Sequence, residues 1–247
     1  MKRIGTILLF LGLLPSGARA AEPAPEDRAF VETAVREGPW VVGEAVRLVL
    51  RVGYEQEWFE SHAVPLFHRT LDVPLQADAP WLRKVTDAAP APEAPSPTEE
   101  DLASIALNGE PTPARRVADV ERGGRLFAVL EAERTWRPSR PGTIAVAAPT
   151  LRFAHATKFR DDLFQGRTAV DPRDVVLRGS ARSLEVRPLP AEGRPAGFLG
   201  CVGRYTVRAE ADREEAVVGE VMKVRLVVTG EGNLDLLPPP PPGGSGS

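Results

Sequence analysis

The chain of 247 residues is long enough for one or two domains, and its composition, 43% hydrophobic and 26% charged, excludes a wholly disordered protein. Its 31 lysines and arginines against 34 acidic residues give a formal net charge of −3, so the sequence predicts no nucleic-acid partner. The 25 prolines and 22 glycines interrupt long helices and favour short strands joined by turns. The predicted fold class is therefore all-β.

The first 20 residues have the pattern of a secretory signal peptide. A basic start, Lys2-Arg3, precedes an apolar stretch at residues 7–14, and Ala18-Arg19-Ala20 is typical of a cleavage site. Cleavage there leaves 28 lysines and arginines against 34 acidic residues, a net charge of −6. The pattern predicts an exported protein of the periplasm or cell envelope, with an uncleaved N-terminal anchor as the alternative.

Cys201 is the single cysteine, so the chain has no intramolecular disulfide. We interpret it as a half-buried thiol near the start of a strand. A redox role and an intermolecular bridge are the alternatives.

The strongest strand pattern covers residues 43–52, after a weaker one at 30–35. Its apolar side chains recur at every second position, which is typical of a strand with one buried face. These side chains are Val46, Leu48, Leu50 and Val52. Residues 54–59 are expected to end this strand or to form a loop. Two prolines interrupt residues 62–75, so this segment is at best an edge or bulged strand.

Residues 78–122 are the least ordered part of the chain by sequence. Within them, residues 88–101 are rich in proline, alanine and acid, which predicts a long loop inside the first domain; a domain boundary is the alternative. Residues 125–137 have both helix and strand character, and the tight turn that follows favours a strand. Further strand patterns lie at 143–147, 151–153 and 182–187, with a loop expected at 158–167, and together they have the layout of a β-sandwich.

The sequence Val-Val-Gly-Glu occurs twice, at residues 41–44 and 217–220, and the same strand pattern follows each copy. The apolar side chains of the second copy are Met222, Val224, Leu226 and Val228. Two copies predict two domains of one kind. The second has only about three strands, including residues 205–211, which are too few to bury a core of their own. The predicted organisation is a first β-sandwich at 21–187, a linker at 188–203, a partial second sandwich at 204–238 and a low-complexity tail at 239–247.

The ionisable residues do not form the pattern of an active site. His62 and His68 are separated by Pro65, and Asp72 is the only close third ligand, so no metal site is predicted. The aspartates at 161, 162, 171 and 174 are interleaved with arginines and lack the spacing of a calcium loop. Neither a nucleophile elbow nor a phosphate-binding glycine loop is present in the sequence. We therefore predict no catalytic, cofactor-binding or metal-binding residues and no cofactor, with a hydrolase or metalloenzyme as a remote alternative.

A second hypothesis is a sandwich that binds carbohydrate or another ligand. Aromatic side chains can stack on sugar rings. The candidates for such a platform are Trp58, Phe59, Trp81 and Trp136.

Three further segments carry a family resemblance. They are the first Val-Val-Gly-Glu strand, the segment TWRPSRPGTIAVAAPTLRF at 135–153, and KFRDDLFQGR at 158–167. A fourth and more specific element is the junction between the two predicted domains. Its residues are Leu189, Pro190, Gly193, Pro195, Phe198, Gly200, Val202, Gly203 and Tyr205, with Gly230, Gly232, Asn233 and Leu234 after the second strand.

In these segments the chain resembles BatD, the oxygen-tolerance family of the bacterial aerotolerance operon. The resemblance covers roughly residues 28–240, apart from the proline-rich loop. It implies tandem immunoglobulin-like β-sandwiches, the second incomplete, in a non-enzymatic envelope protein that acts as a protein-interaction scaffold in an aerotolerance or stress-related complex. The partners it implies are other Bat proteins with von Willebrand A-type domains, beside a cytoplasmic MoxR-type ATPase.

The chain departs from the family pattern at its end. Family members continue to a C-terminal transmembrane helix, whereas no apolar segment of that kind follows the signal peptide here. A natural short form and a missing end of the gene both fit this difference. Membrane anchoring is therefore not part of the prediction.

Overall fold

The computed structural model describes residues 23–66, 71–92, 102–162, 166–194, 197–198, 200–215 and 217–237. Strands account for 55% of these residues and helices for 9%, so the all-β prediction is confirmed. The predicted signal peptide, His68, Pro195, most of the proline-rich loop and the tail at 239–247 lie outside the described residues. Within the described ranges, no helix has the length and hydrophobicity needed to cross a membrane.

Seventeen strands and one α-helix follow each other along these ranges. In chain order the strands are β1 (Ala29–Ala34), β2 (Trp40–Val41), β3 (Val46–Tyr54), β4 (Ala63–Val64), β5 (Leu75–Asp78), β6 (Ala88–Pro90), β7 (Leu102–Leu107), β8 (Glu110–Arg122), β9 (Arg125–Pro138), β10 (Gly142–Val146), β11 (Thr150–His155), β12 (Phe159–Asp162), β13 (Gly166–Ala169), β14 (Arg173–Arg178), β15 (Arg182–Arg187), β16 (Gly203–Ala211) and β17 (Val224–Gly232). The helix α1 spans Gln56–His62, and short 3₁₀ turns span Pro25–Arg28, Pro80–Leu82 and Leu234–Leu236.

Ten strands form one large sheet in the order β1-β3-β9-β8-β7-β5-β11-β14, with β4 beside β11 and β6 beside β9. All pairs are antiparallel except β5 and β7. The sheet is nearly closed, because its last strand returns to its first. At this seam Arg182 Nε donates to the Thr33 carbonyl at 2.9 Å, and a Cβ on Gly179 would lie only 2.6 Å from the Val31 carbonyl oxygen. A side chain at residue 179 would therefore push the two ends of the sheet apart.

A second sheet of three strands, in the order β10-β15-β2, shares the core of the large sheet. Its strand β2 pairs in parallel with β15 and places Trp40 in that core. The other core residues of this sheet are Ile144, Val146, Leu184 and Val186. On β3, the four apolar positions predicted to face inward are all buried, so the strand pattern at 43–52 is confirmed.

The strand ends at Tyr54, within the expected residues 54–59, but the loop expected there is wrong, because α1 begins at Gln56. The helix buries Trp58 and Phe59, which pack against Phe153 of β11 at ring distances of 6.1 and 5.0 Å. His62, one helical turn after Trp58, stacks on its ring at 4.9 Å. The spacing of these side chains follows the helical period and not the alternation of a strand.

The expectation of little order at residues 78–122 is also wrong for the parts that the structure describes, 78–92 and 102–122. The proline-rich segment begins with β6, and β7 and β8 form a long antiparallel hairpin. Its turn is Asn108-Gly109, where both residues have positive φ angles of 51° and 84°. This dipeptide is the strongest short hairpin signal in a sequence. The expectation of little order followed instead from the low-complexity composition of the residues before it. The loop expected at 158–167 likewise contains a hairpin, β12–β13.

After β15, the described chain forms a hairpin of β16 and β17, which pair with each other over nine positions. This hairpin has the same register as β1–β3. Val41 and Val217 lie 176 residues apart, and the same shift converts the pair Val31↔Val52 into the pair Val207↔Val228. The repeat seen in sequence is thus a repeat of strand pairing as well.

The two Val-Val-Gly-Glu turns are built alike. Their glycines, Gly43 and Gly219, have positive φ angles of 81° and 98°. The Glu44 carboxylate accepts from the Val41 N–H at 3.0 Å, and the Glu220 carboxylate lies 3.5 Å from the equivalent N–H. In both copies the glutamate thus lies across the turn that precedes the strand.

Candidate functional site

Asn233, directly after β17, connects the β16–β17 hairpin to the part of the chain that contains β1 to β15, which we call the first unit. Its side chain is fully buried, and its Oδ1 accepts from the Val202 N–H at 2.6 Å. Its Nδ2 donates to the carbonyls of Gly200 and Gly43, both at 3.0 Å. Because Gly43 belongs to the first Val-Val-Gly-Glu turn, one side-chain amide fastens the second copy of the repeat to the first.

Tyr205 completes this arrangement from β16. Its hydroxyl lies 2.9 Å from the Val202 carbonyl and 3.1 Å from Asn233 Oδ1. Burial raises the pKa of the Tyr205 phenol, so the hydroxyl keeps its proton and remains a donor. Gly232 lies directly beneath it: a Cβ at that position would clash with the Tyr205 hydroxyl and the Val202 carbonyl. Only glycine fits this close approach.

A salt bridge supports the same junction. Arg137 of β9 donates from Nη1 to Asp235 Oδ2 at 2.6 Å, and its Nη2 donates to the other carboxylate oxygen. The hydrogen bond from Arg137 lowers the pKa of Asp235 below its ordinary value of 3.8. Sequence reasoning missed this pair, because nothing in the spacing of two residues 98 positions apart indicates that they meet.

The other predicted junction residues lie at several places along the linker and the hairpin. Arg194 donates to the Pro190 carbonyl at 3.1 Å, and its guanidinium lies 5.6 Å from the ring of Phe198. Gly193 occupies a turn with a φ angle of 74°. Gly203 and Gly230 are paired positions of the hairpin, opposite Gly232 and Tyr205 respectively.

Cys201 lies at the same junction. It is a free, half-buried thiol, and its Sγ lies 3.7 Å from the Asn233 carbonyl.

A cleft of about 940 Å³ separates the start of the hairpin from the first unit. Trp40, Arg36 and Glu44 line one side of it, and Val202 and Arg204 line the other. The Arg36 guanidinium stacks over Trp40 at 3.9 Å and forms an ion pair with Glu44 at 2.7 Å. On this wall, Arg36, Trp40 and Glu44 therefore already have one another as interaction partners.

Beyond the junction, the hairpin exposes an apolar face. We call this the hairpin face; its residues are Val207, Met222, Val224 and Leu226. Leu226 is 49% exposed, whereas its equivalent Leu50 is 1% exposed. Val207 is 65% exposed, against 6% for its equivalent Val31. Contiguous apolar surface of this kind marks an interaction site in folded proteins.

The opposite face of the hairpin is charged and carries both basic and acidic residues. Lys223, directly before β17, and Arg225 of β17 form no ion pair in the described part of the chain, although Arg225 is paired in register with Glu210. On β16, Arg208 pairs with Glu210 at 2.8 Å on the same side. The hairpin is thus apolar on one side and charged on the other.

His62 and His155 are engaged in packing. His62 Nδ1 lies 3.1 Å from the Trp58 carbonyl. His155 is buried beside Trp58, and burial, with a smaller effect of Arg173, lowers the pKa of its imidazole. Among the described residues, no group of three His, Cys, Asp or Glu side chains is arranged to hold a metal ion.

The acidic residues at 171 and 174 are held separately. Asp171 accepts from Thr157 Oγ1 at 2.6 Å and from the N–H groups of Thr157 and Lys158 at 3.0 and 2.8 Å. These hydrogen bonds lower its pKa to about 2. Asp174 instead pairs with Arg152 at 2.7 Å. The two carboxylates therefore support different strands.

The aromatic residues named for a carbohydrate platform are all in the core. Trp58, Phe59, Trp81 and Trp136 are each less than 9% exposed. The Trp81 indole N–H donates to Thr33 Oγ1 at 3.1 Å inside the protein. These rings have no free surface on which a sugar could stack.

Comparisons of the chain with models of protein families, with curated proteins and with solved structures give no match. The fold and the candidate site are therefore described from the structure of this chain alone. They describe an all-β protein that carries a fastened hairpin with an exposed apolar face.

Proposed function

We propose that this chain is a non-enzymatic interaction protein of the BatD kind, which acts as a scaffold in the cell envelope and binds partners through its second module. The observation that carries the proposal is the difference between Leu50 and Leu226. The two leucines occupy equivalent positions in hairpins of the same register, and one is buried while the other faces solvent. In the first unit, where other elements pack against the hairpin β1–β3, the equivalent apolar face is buried.

The repeat also supports the proposal of tandem immunoglobulin-like modules. In the first unit, the large sheet and the sheet β10-β15-β2 share one core, as two layers of a sandwich do. The hairpin β16–β17 corresponds to strands β1 and β3 of that unit. On this proposal the hairpin is the start of a second module of the same type.

The contacts that hold the hairpin against the first unit favour the binding of a partner. Asn233 and the Arg137–Asp235 pair fix the base of the hairpin against the first unit. A surface that is already ordered loses less conformational entropy when a partner binds. The hairpin face is therefore presented in one orientation.

The partners we propose are Bat proteins with von Willebrand A-type domains, in an aerotolerance or stress-related complex of the periplasm. The family resemblance of the junction and the signal-peptide pattern of residues 1–20 support this choice. The exposed apolar face supports a protein as the partner, because exposed apolar surface of this kind is typical of protein interaction sites.

The test is a capture experiment with the tagged full chain, cross-linked in intact cells of its own host. A-domain Bat proteins in the captured material are quantified by mass spectrometry. We expect their recovery with the unaltered chain and its loss with Leu226→Asp. The matched control is Val176→Asp, which places the same charge at an apolar side chain 66% exposed on β14. Absence of every A-domain Bat protein from the unaltered sample would contradict the proposal.

A further inference from the structure

The large sheet is joined least extensively where its parallel pair of strands, β5 and β7, meets. Two register pairs connect these strands; they are Gln76↔Ala106 and Ala77↔Leu107. The other pairings along the main order of the sheet have between four and nine register pairs. We call this contact the β5–β7 joint. Few main-chain hydrogen bonds therefore hold the two halves of the sheet together there.

Asn108 extends the β5–β7 joint beyond its last register pair. Its N–H donates to the Ala77 carbonyl at 2.8 Å. Its Oδ1 accepts from the Ala79 N–H at 2.8 Å, and its Nδ2 donates to the Ala79 carbonyl at 3.2 Å. The Asn108 carbonyl in turn accepts from Arg83 Nη2 at 2.7 Å. Because Ala77 and Ala79 have no exposed surface, loss of these contacts would leave buried backbone groups without a partner.

We propose that Asn108 is a site of spontaneous deamidation, and that its conversion to aspartate or isoaspartate opens the β5–β7 joint. Asparagine is a thermolabile residue. The residue after Asn108 is Gly109, which is exposed and has nothing within 4 Å of the position that a Cβ would take. Glycine has no side chain to hinder attack by its nitrogen. The second asparagine of the chain, Asn233, is fully buried and is followed by the bulky Leu234.

The reaction needs water and no other reactant. The backbone nitrogen of Gly109 loses its proton and attacks Cγ of Asn108; the new N–Cγ bond forms, the Cγ–Nδ2 bond breaks, and Nδ2 leaves as ammonia after it takes up one proton. Water then opens the cyclic imide. Opening at the N–Cγ bond gives aspartate. Opening between the nitrogen and the main-chain carbonyl carbon gives isoaspartate, in which the main chain runs through Cβ and Cγ.

The fold slows this reaction, because the side chain of Asn108 is already engaged. Its Cγ must turn toward the Gly109 nitrogen, and the two hydrogen bonds to Ala79 oppose that movement. The rate of deamidation in the folded chain therefore depends on local opening of the β5–β7 joint. We expect the folded chain to react about tenfold more slowly than the unfolded chain, since both hydrogen bonds must break first.

Both products weaken the β5–β7 joint. In aspartate, a carboxylate oxygen replaces Nδ2, so an acceptor faces the Ala79 carbonyl oxygen where the amide had donated at 3.2 Å. In isoaspartate, the extra main-chain carbon alters the turn at Asn108-Gly109, whose φ angles of 51° and 84° suit a two-residue hairpin loop. The modification thus separates the end of the β7–β8 hairpin from β5 while the apolar core stays packed.

The test is incubation of the full chain in mildly alkaline buffer, followed by digestion with trypsin and mass spectrometry. Residues 85–115 form one tryptic fragment, in which Asn108 has the only side-chain amide. Residues 226–247 form another, in which Asn233 has the only one. We expect the first fragment to show the amide-to-acid change in the folded chain, and faster in concentrated urea. The second fragment should stay unchanged in the folded chain over the same time.

Arg83→Ala tests whether contacts of the joint control the rate. This variant loses the donor to the Asn108 carbonyl, so we expect deamidation of the folded chain to be about threefold faster. In urea its rate should equal that of the unaltered chain. Arg152→Ala, which removes an arginine from an exposed ion pair with Asp174, is the matched control and should leave the rate unchanged.

Asn108→Asp reproduces one product and tests its effect on the joint. We expect hydrogen exchange at the Ala79 amide to become about fivefold faster, because the joint opens more often. Gln56→Glu, the same amide-to-acid change at an exposed position of α1, is the matched control and should leave this exchange unaffected.

Four results overturn the inference. They are a folded chain whose fragment 85–115 stays unmodified after the unfolded chain has reacted, equal rates in the folded and unfolded chains, an Arg83→Ala rate equal to that of the unaltered chain, and unchanged exchange at Ala79 in Asn108→Asp. The inference concerns the first unit alone, so its outcome is independent of the capture experiment.

Discussion

The side-chain amide of Asn233 donates to the carbonyl of Gly43 at 3.0 Å, across 190 residues of chain. It thereby connects the end of β17 to the turn that opens β3. The same side chain binds Val202 and Gly200, so its burial is fully compensated by hydrogen bonds. Asn233 therefore ties the second hairpin to the first unit through its side chain alone.

Replacement of Asn233 by Ala should release the hairpin without unfolding the first unit. The buried Val202 N–H and the Gly43 carbonyl lose their partner, which costs about 1–3 kcal/mol for each unsatisfied group that stays buried. We expect faster proteolysis within residues 188–203 and faster hydrogen exchange at the Val202 amide. Asn233→Asp is the matched variant, since it keeps the acceptor for Val202 and loses the donors to Gly43 and Gly200. Unchanged cleavage in both variants would show that other contacts hold the junction.

The equivalent leucines give a paired prediction about stability. Leu50→Ala removes a side chain from the packed core and should lower the free energy of unfolding of the first unit by about 2–5 kcal/mol. Leu226→Ala removes a side chain that faces solvent, so the change should stay within about 0.5 kcal/mol. Urea denaturation of both variants provides the comparison. Similar losses in the two variants would mean that Leu226 is covered in solution.

Acid should loosen the junction through Asp235. Arg137 lowers the pKa of this carboxyl below 3.8, so its stabilising effect is present above pH 3.8 and is lost as the pH falls through the lowered value. Because Asp235 is 39% exposed, the pair contributes at most about 1 kcal/mol. We expect the carboxyl carbon of Asp235 to titrate below pH 3.8 in the unaltered chain. In Arg137→Met the midpoint should return toward 3.8, and the same midpoint in both proteins would contradict the pairing.

Asp171 should titrate at about pH 2 because Thr157 and Lys158 donate to its carboxylate. Its contribution to the β13–β14 turn is present above pH 3.8, the ordinary pKa, and disappears as the pH approaches 2. Thr157→Val removes the hydroxyl donor, which is the largest cause of the shift, and should move the midpoint toward 3.8. Carbon-13 titration of the Asp171 carboxyl measures both values. A midpoint unaffected by Thr157→Val would assign the shift to the backbone donors.

Most of the strands were predictable, because alternation of apolar side chains is a local property. The pattern at Val46–Val52 and its copy at Met222–Val228 are visible in the sequence without any knowledge of the fold. Helix α1 was missed because its buried pair, Trp58 and Phe59, lies among acids in a segment of only seven residues. The β7–β8 hairpin was missed although Asn108-Gly109 indicated it.

The contacts that fasten the hairpin could not be predicted in the same way. The sequence places Asn233 in the junction, but its acceptor is the backbone carbonyl of Gly43. Every residue has such a carbonyl, so the sequence does not indicate which one accepts the hydrogen bond. Arg137 and Asp235 are likewise two of many charged residues until the fold brings them together. Exposure of the hairpin face was also invisible, since the same apolar pattern is buried in the first copy.

The shared register of the two hairpins has a consequence for folding. During refolding, β16–β17 offers the same spacing of apolar side chains that the core of the first unit accepts from β1–β3. Leu48 has the smaller Val224 as its counterpart and Val46 the larger Met222, so a wrongly inserted second hairpin does not fit that core as the first one does. Such misassembly between copies is a characteristic failure of chains with internal repeats. We therefore expect the second hairpin to compete with the first for that core during refolding, and its different side-chain sizes to disfavour the exchanged arrangement.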